Sequence, residues 1–448
     1  MSWYSAKHAY LPGGVATDVR IQVTDGRIAA IERGAAQPDD VRLPGLVMPG
    51  FANTHSHAFH RALRGRTHEN PGGAPGTFWT WREQMYDLSS RLDPDNYFAL
   101  ARATYAEMAL AGVTSVGEFH YLHHAPGGRP YADPNAMGAA LAAAAADAGI
   151  RLTLLDTCYL AGGLSAAGPL PLEPLQLRFT DGTATAWADR VSLIQDGESF
   201  RVGAAIHSVR AVPRDQLPAV VAAARERPLH VHLSEQPSEN AQSLAAYGRT
   251  PTQVLDECGA LAPATTAVHA THLTREDIAR LGATRTTVSM CPTTERDLAD
   301  GIGPARALRD VGCPVVLGSD QHVLIDMVEE ARALEMDERL ASQQRGRFSP
   351  ADLVSALTVD GQRSIGWPDA GKLAPGHRAD LVALRLDSPR TAGADPAQAV
   401  LAASAADIDT VLVDGRVVVS GGHHRLGDVG QLLSASIGAV WSDLGDTP

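Results

Sequence analysis

Lysine is almost missing from this sequence. The 448-residue chain contains only Lys7 and Lys372, and arginine supplies the rest of its positive charge. A mechanism that depends on a lysine near the middle of the chain therefore has no residue to use. A glycine-rich nucleotide-binding loop is also missing after the first apolar run, which argues against an open, doubly wound nucleotide-binding sheet.

Cysteine and long apolar runs are scarce as well. The four cysteines occur singly and form no CxxC pair, which is typical of free thiols in a reducing cytosol rather than of a disulfide framework or a zinc knuckle. The N-terminal MSWYSAKHAYLPGG lacks the basic flank and apolar core of a signal peptide. No run reaches roughly 18 apolar residues, the length of a membrane span. We expect a cytoplasmic protein without a membrane segment.

The net charge of the chain argues against two classes of binding partner. The net charge of −13 argues against a nucleic-acid or anionic-membrane surface. It is compatible with a small acidic ligand, because a few local arginines can override the global field. Hydrophobic residues make up 44% of the chain and charged residues 20%, so a sizeable folded core is expected.

Both ends of the chain have a β texture. Asp25-Gly26 separates two alternating runs near the N-terminus, and Asp414-Gly415 does the same near the C-terminus. An Asp-Gly pair between alternating runs is a hairpin signal. We therefore predict a small sheet domain assembled from both termini, residues 1–48 and 367–448.

The middle of the chain, predicted as one domain over residues 49–366, repeats short β-prone runs and alanine-rich helical segments. Eight such units over about 270 residues match a closed (β/α)₈ barrel, a TIM-like α/β fold. The eight predicted strands are GLVMPGFANTHSH, TSVGEFHYL, RLTLLDTCYL, RVGAAIHSV, LHVHLSE, TAVHATHL, TTVSMCPT and CPVVLGSD. Segments 95–112, 135–149 and 214–227 are predicted as helices between them.

Ligand-type side chains follow several of these strands. In a parallel barrel the carboxyl ends of the strands carry the active site. His55 and His57, two residues apart on an extended segment, point to the same face. Three imidazoles and a carboxylate from separate strands suit one Zn²⁺ with a position left for water, although Fe²⁺ or Mn²⁺ accept the same ligands. The predicted metal ligands are His55, His57, His232 and Asp320.

Each of these residues also has an ordinary structural interpretation. His55 and His57 are compatible with a polar loop, and Asp320 with a turn or a helix cap. His232 and His269 are compatible with core histidines whose ring nitrogens are hydrogen-bonded. Their shared position after predicted strands favours the metal site. Other histidines lack that context and are interpreted as surface or loop residues, namely His68, His123, His124, His423 and His424.

FANTHSHAF, HVHLSE, VHATHL and LGSD, in this order and spacing, resemble the amidohydrolase superfamily. The resemblance spans nearly the whole chain and implies a barrel with a terminal β-sandwich. Many members bridge two metals with a carbamylated lysine on the fourth strand, and RVGAAIHSV has none, which implies the mononuclear, deaminase-like branch. In that branch Glu235 of HLSE acts as the general acid and base, His269 orients the attacking water, and Asp320 accepts a proton from it.

The walls of the barrel mouth indicate the substrate. Two arginines and a tyrosine suit carboxylates, because guanidinium forks pair with them bidentately. HSHAF, FWTWRE, GEFHYLHH and IHSVRAV resemble the formimidoylglutamate deiminases, which release ammonia from N-formimidoyl-L-glutamate. The resemblance implies a homodimer and substrate contacts at His60, Arg82, Tyr121, His207 and Arg210. His60 departs from the family, which commonly has a glutamine at that position.

Two alternatives for the function and two for individual arginines stay open at this point. The chain could be another mononuclear deaminase that acts on a heterocyclic base such as guanine, or a non-catalytic scaffold with the same barrel. The complete ligand set and the presence of Glu235 argue against the scaffold. Arg82 could instead form an ion pair with Glu83 or Asp87 on one helix face, and Arg210 could form one at the barrel rim.

Overall fold

The computed structural model describes residues 1–68 and 76–442. The chain begins with a sheet of four strands, joined first by a tight turn and then by the Asp25-Gly26 turn. These strands are β1 (Ser2–Leu11), β2 (Gly14–Thr24), β3 (Arg27–Arg33) and β4 (Val41–Pro49). β1 pairs antiparallel with β2 but parallel with β4.

The barrel follows as eight parallel strands whose neighbours in the sheet follow chain order. A short hairpin, β8 (Gly163–Ser165) with β9 (Gly168–Leu170), projects between the third and fourth of them. The barrel strands are β5 (Phe51–Ser56), β6 (Val113–His120), β7 (Arg151–Cys158), β10 (Phe200–Ile206), β11 (Leu229–Leu233), β12 (Thr265–His269), β13 (Thr287–Met290) and β14 (Val315–Leu317).

The last strands return to the terminal sheet and complete it. β15 (Leu381–Leu384) pairs antiparallel with β4, so the two ends of the chain meet there. The added strands are β15, β16 (Ile408–Val413), β17 (Arg416–Ser420) and β18 (His423–His424). The order across this sheet is β18-β17-β16-β15-β4-β1-β2-β3. The predicted fold class, a TIM-like barrel with a sheet formed by both termini, is confirmed.

Both predicted hairpin turns form, and they touch each other. Asp25 and Gly26 have φ of 50° and 75°, and Asp414 and Gly415 have φ of 47° and 72°. Positive φ at both central positions is the type I′ geometry that matches strand twist. A Cβ on Gly26 would lie 3.2 Å from the carbonyl oxygen of Asp414, so the contact between the two turns leaves little room there.

The first predicted barrel strand is split between the two sheets. Its apolar start, GLVMP, is the end of β4 in the terminal sheet, and the barrel strand begins only at Phe51. Gly50 lies between them, where a Cβ would come within 2.3 Å of the Thr114 hydroxyl. The predicted division at residue 48, like the other domain limits, stays a prediction.

Helices cover the barrel strands. Two of the predicted helices match closely, as α2 and α3, whereas the one predicted over 214–227 is confined to α5 because Pro218 and the positive φ of Arg225 limit it. The helices are α1 (Phe78–Ser90), α2 (Pro94–Leu110), α3 (Ala136–Ala148), α4 (Ala184–Val191), α5 (Leu217–Ala224), α6 (Pro237–Tyr247), α7 (Pro251–Glu257), α8 (Arg275–Thr284), α9 (Pro292–Asp297), α10 (Ala305–Asp310), α11 (Met327–Ser342), α12 (Pro350–Leu357), α13 (Val359–Ser364) and α14 (Val429–Trp441). Among the described residues, no helix has the length and apolar character needed to cross a membrane.

Candidate metal centre and substrate cavity

The four predicted metal ligands lie at the carboxyl ends of the barrel strands in two groups that share His55: ligand atoms of His55, His57 and Asp320 lie within 4.8 Å of one another, and so do those of His55, His232 and His269. His55 Nε2 and His57 Nε2 lie 3.3 and 3.4 Å from Asp320 Oδ1. His232 Nε2 lies 3.1 Å from His55 Nε2. All four residues are buried. Ligand atoms about 2.0–2.1 Å from a tetrahedral zinc ion lie about 3.3–3.4 Å apart, so these separations fit one ion.

The histidine tautomer supports the same conclusion. His57 Nδ1 lies 2.8 Å from the carbonyl oxygen of Phe119, an acceptor, so Nδ1 carries the proton. The other nitrogen, Nε2, then presents a lone pair to the carboxylate of Asp320. Two lone pairs facing each other in a buried site repel unless a cation lies between them. A backbone carbonyl that fixes the tautomer of a ligand histidine is a common feature of metal sites.

Backbone hydrogen bonds close the barrel at the metal ligands. The amide of Asp320 donates to the carbonyl oxygen of His55 (3.0 Å), and the amide of His57 donates to the carbonyl oxygen of Asp320 (3.2 Å). Gly318 makes this approach possible, because a Cβ there would lie 2.7 Å from Cβ of His55. The first and last strands thus hold three of the four ligands in one register.

Glu235 and His269 lie beside these ligands. His269 Nε2 is 3.8 Å from Glu235 Oε1 and 3.9 Å from Asp320 Oδ2, while its Nδ1 is 3.5 Å from Glu295 Oε1. Burial lowers the pKa of His269, but the carboxylates of Glu235, Glu295 and Asp320 outweigh it and raise that pKa to about 10. Burial also raises the pKa of Glu235. A carboxyl with a raised pKa can both give and accept a proton near neutral pH.

One cavity opens onto this cluster. Its wall includes Glu235, His269 and Asp320 as well as His57 and His232. The sequence-predicted substrate contacts also line it, namely His60, Arg82, Tyr121, His207 and Arg210. His55 alone of the predicted site residues lies outside the cavity wall, fully buried behind it.

Arg82 carries a charge that the surrounding protein does not neutralise. Its Nε donates a 2.6 Å hydrogen bond to the hydroxyl of Tyr86, and Asp87 pairs with Arg91 instead. Within residues 1–68 and 76–442, no carboxylate forms an ion pair with Arg82. The alternative of a helix-face ion pair to Glu83 or Asp87 is therefore not observed in that part of the chain.

Arg210 has a partly different setting. Its Nε lies 3.7 Å from Oε2 of Glu239, which is fully buried on the first turn of α6. The rim ion pair considered from the sequence therefore exists, at a distance too long for a direct hydrogen bond. The guanidinium nevertheless lines the cavity.

The remaining predicted contacts are held by neighbouring rings. His60 Nε2 lies 3.0 Å from the Tyr121 hydroxyl. The ring of His207 packs against those of Tyr121 and Tyr159, with centroids 5.6 and 4.5 Å away. Burial, followed by the charges of Arg210 and Arg82, holds the pKa of His207 well below its usual range, so this imidazole is neutral.

The sequence prediction missed three polar residues in this region. Tyr86 and Tyr159 line the cavity, and Gln176 lies behind them with no exposed surface. Tyr159 follows the third barrel strand, so the strand-end criterion applied to the histidines could have found it. Tyr86 lies on α1 and Gln176 in the 3₁₀ turn Pro174–Phe179, and their sequence contexts give no such signal.

A second group of histidines lies on the loop after β6. His123 and His124, interpreted from the sequence as surface or loop residues, lie on that loop but are buried. The same interpretation is wrong for His424, which is buried with its Nε2 3.0 Å from the carbonyl oxygen of Ala148. His123 approaches Asp156, whose two oxygens already accept hydrogen bonds from Arg190 at 2.8 and 2.9 Å and from Trp187 at 2.9 Å. The guanidinium of Arg190 binds both oxygens of the Asp156 carboxylate, and its positive charge repels a metal cation. This histidine group therefore has a structural role.

Comparisons with known proteins agree with the geometry. The model of the "Amidohydrolase family" matches residues 46–418, and that of the "Formimidoylglutamate deiminase HutF, N-terminal domain" matches residues 1–43. The chain is 38% identical to the formimidoylglutamate deiminase of Pseudomonas aeruginosa over 95% of this chain and 96% of that protein. It is 30% identical to the 8-oxoguanine deaminase of the same organism over 88% of each chain.

A solved structure gives the same result. The crystal structure of an amidohydrolase from Brucella melitensis superposes with a TM-score of 0.90 at 33% identity and covers 98% of this chain and 100% of that one. The sequence similarity and the structural similarity both extend over nearly the full length of this chain, and the site geometry is consistent with them. The chain belongs to the amidohydrolase family and, within it, groups with the formimidoylglutamate deiminases.

Proposed function

We propose that this protein hydrolyses N-formimidoyl-L-glutamate to N-formyl-L-glutamate and ammonia, a reaction of histidine degradation. The observation that carries the proposal is that one cavity is lined both by the proton-transfer residue Glu235 and by two arginines, Arg82 and Arg210. A substrate with two carboxylates and one C=N bond matches that lining, because each guanidinium can pair with a carboxylate.

The metal of the proposed reaction is one Zn²⁺ per subunit, which His55, His57, His232 and Asp320 would hold at the barrel end. Imidazole nitrogens and a carboxylate oxygen, with His55 Nε2 3.3 Å from Asp320 Oδ1 and 3.1 Å from His232 Nε2, support zinc, and the same ligand types also accept Fe²⁺ or Mn²⁺. When bound, zinc lowers the pKa of a water molecule to about 7 and so supplies a nucleophile at neutral pH.

The protein's own groups then handle the protons. Asp320 accepts a proton from the attacking water, and His269, 3.9 Å from that carboxylate, orients the water by hydrogen bonding. Water oxygen adds to the formimino carbon, and Glu235 delivers the proton to the terminal nitrogen. The proton held by Asp320 then passes to that nitrogen, Glu235 takes the hydroxyl proton of the tetrahedral intermediate, and ammonia leaves as the C=O bond of the formyl product forms. General acid and base catalysis of this kind contributes roughly 10² to 10⁴ in rate.

The substrate is positioned by the remaining predicted residues. Arg82, Arg210 and Tyr121 bind its carboxylates, and the neutral His207 lies nearer the formimino group. His60 acts through the 3.0 Å contact with the Tyr121 hydroxyl, which holds that hydroxyl at the cavity wall. An imidazole can therefore serve where relatives commonly have a glutamine.

The direct test is ammonia release by the zinc-loaded protein from N-formimidoyl-L-glutamate, compared with guanine and cytosine. Turnover of the formimidoyl substrate with little or none of the bases supports the proposal. Brisk turnover of either base without turnover of N-formimidoyl-L-glutamate overturns it and leaves a heterocycle deaminase.

We also propose that the enzyme works in the cytoplasm as a homodimer. All four cysteines carry free thiols, in keeping with a reducing compartment. The dimer follows the resemblance to the formimidoylglutamate deiminases. Light scattering of the purified protein tests it, since a mass near 94 kDa is expected for a dimer of the 47.2 kDa chain (2 × 47.2) and a mass near 47 kDa contradicts it.

A further inference from the structure

Gln176 is a buried amide whose orientation is fixed by the backbone. Its Oε1 accepts a 2.8 Å hydrogen bond from the amide of Glu173. Because that oxygen faces a donor, the NH₂ group must point the other way. Its Nε2 donates to the hydroxyl of Tyr86 at 3.0 Å and to the hydroxyl of Tyr159 at 3.1 Å, and the carbonyl oxygen of Gly162 lies further away, at 3.4 Å. The Gln176 side chain therefore orients the hydroxyl groups of both Tyr86 and Tyr159.

A count of the hydrogen bonds of the Tyr86 and Tyr159 hydroxyls leaves at least one hydroxyl hydrogen without an acceptor. A tyrosine hydroxyl has one hydrogen to give and two lone pairs to receive. The oxygen of Tyr86 receives from Gln176 and from Arg82 Nε at 2.6 Å, so both lone pairs are used. The oxygen of Tyr159 receives from Gln176. A bond between the two neighbouring hydroxyls uses one hydrogen at most, so at least one O–H remains without an acceptor.

The spare hydrogen belongs to a tyrosine in the wall of the substrate cavity. Tyr86 and Tyr159 both line that cavity and are 8% and 4% exposed, so bulk water reaches them little. Burial raises the pKa of Tyr159, which keeps its hydroxyl protonated at neutral pH. In the described ranges neither hydroxyl donates to a protein acceptor outside this cluster, and a buried donor without an acceptor costs free energy.

The charge beside these hydroxyls selects the ligand. Arg82 pairs with no carboxylate among the residues that the structure describes, yet it contacts Tyr86 directly. A guanidinium and one or two phenol hydrogens around one point form a donor-only pocket, which suits an anion with several lone pairs. A neutral base would leave the arginine charge unpaired in a largely dry cavity.

We propose that Tyr86 and Tyr159, aimed by Gln176, are specificity-determining residues that donate hydrogen bonds to the substrate carboxylate that Arg82 binds. The inference rests on the proposed function and deepens it, because it assigns three further residues to the recognition of one carboxylate. Gln176 is a positioning residue, which acts only through the two tyrosines.

The test compares four variants by KM, kcat and metal content with N-formimidoyl-L-glutamate. Tyr86→Phe and Tyr159→Phe remove a donor each, and we expect KM to rise for at least one of them by about 10- to 100-fold, the range for a hydrogen bond to a charged group. Gln176→Glu replaces the amide donors with acceptors that draw both hydroxyl hydrogens away from the cavity, so its KM should rise at least as much as that of the more affected tyrosine variant. Gln176→Met removes the donors without adding acceptors and should raise KM less.

A merely structural role gives a different pattern. It would lower metal content and kcat in proportion to the loss of stability and would not separate Gln176→Glu from Gln176→Met. Tyr247→Phe on the outer helix α6 is the matched control, since Tyr247 lies near Arg214 and outside the cavity wall, and it should behave as wild type.

Two substrates with one carboxylate sharpen the test. N-formimidoyl-4-aminobutyrate keeps only the side-chain carboxylate, and N-formimidoyl-L-2-aminobutyrate keeps only the α-carboxylate. The substrate that lacks the carboxylate bound at Arg82 should be turned over equally by wild type and by Gln176→Glu. The other substrate should show the full rise in KM.

A binding measurement separates this inference from the proposed function. Glutarate, a dicarboxylate that cannot react, should bind wild type more tightly than Gln176→Glu by about 10- to 100-fold in calorimetry, whatever the enzyme hydrolyses. If wild type releases ammonia but all four variants keep KM and the glutarate Kd within twofold of wild type, the tyrosine pocket is wrong and the proposed function stands. If wild type releases none but Gln176→Glu weakens glutarate binding, the pocket stands and the proposed reaction is wrong.

Discussion

The Nδ1 atom of His57 lies 2.8 Å from the carbonyl oxygen of Phe119, on the neighbouring strand of the barrel. This contact turns the other ring nitrogen, in its unprotonated form, towards Asp320 and His232. The tautomer required for metal binding is thus set by a backbone atom whose position depends on the β5–β6 pairing and not on the metal itself.

Replacing a ligand histidine should remove the metal. His57→Ala and His232→Ala should each hold less than about a tenth of the metal bound by wild type, because three ligands of altered geometry bind zinc far more weakly than four. Elemental analysis after dialysis against a weak chelator measures the content. His230→Gln is the control: His230 lies on the same strand as His232 but faces Ser364. Full metal content in His232→Ala would show that the ligand set is misassigned.

Replacing Glu235 should stop the chemistry and leave the site assembled. Glu235→Gln keeps the shape of the side chain but cannot carry a proton, so kcat should fall by roughly 10² to 10⁴ with metal content unchanged. Steady-state ammonia release and elemental analysis on the same sample check both parts. A kcat within tenfold of wild type would assign the proton transfer to another group.

Replacing Arg210 should weaken substrate binding alone. Arg210→Met removes a charge from the cavity wall, and KM should rise by about 10- to 100-fold, as expected for a lost charge-assisted hydrogen bond, while metal content stays at the wild-type level. Arg214→Met is the matched control, because Arg214 lies four residues further on and pairs with the exposed Glu257. Loss of metal from Arg210→Met would mean that the arginine supports the metal site instead.

The second histidine group should make the protein sensitive to acid. Burial, followed by the charge of Arg190, lowers the pKa of His123 to about 4, whereas an unfolded histidine titrates near 6.5. Between these values the unfolded chain binds more protons, so the stability is complete above pH 6.5 and is lost as the pH falls towards 4. The shift corresponds to about 3 kcal/mol.

The variant His123→Gln tests this pH dependence. Glutamine can still donate to the carbonyl oxygen of Thr157, which accepts from His123 at 2.9 Å, but it does not titrate. Its denaturation midpoint should fall less than that of wild type between pH 7 and pH 4.5. The exposed His423→Gln should follow wild type, and identical pH profiles for all three proteins would refute the assignment.

Sequence reasoning predicted which side chains lie together at the barrel end wherever local spacing determines the direction of a side chain. His55 and His57 share a face because side chains alternate along a strand, and the barrel places all strand ends at one rim. It could not find Gln176, whose role depends on Tyr86, ninety residues earlier, and on an amide rotation set by Glu173. Such a contact is created by tertiary packing and has no local period.

The same distinction between local spacing and tertiary packing explains where the predicted strands and helices differ from the observed ones. GLVMPGFANTHSH reads as one buried strand, because apolar continuity does not record that the chain leaves one sheet and enters another at Gly50. The ends of α5 were also misplaced, since Arg225 adopts a positive φ that its residue type does not suggest. The number and order of the eight barrel strands were predicted correctly, because each is a buried run followed by polar residues.

The most direct measurement is the identity of the products formed by the zinc-loaded wild-type protein from N-formimidoyl-L-glutamate, followed by proton NMR together with an ammonia assay. Our account predicts N-formyl-L-glutamate and ammonia in equal amounts, with the rate lost on chelation and restored by zinc. Formation of L-glutamate and formamide, or no reaction by a fully metal-loaded protein, would contradict it.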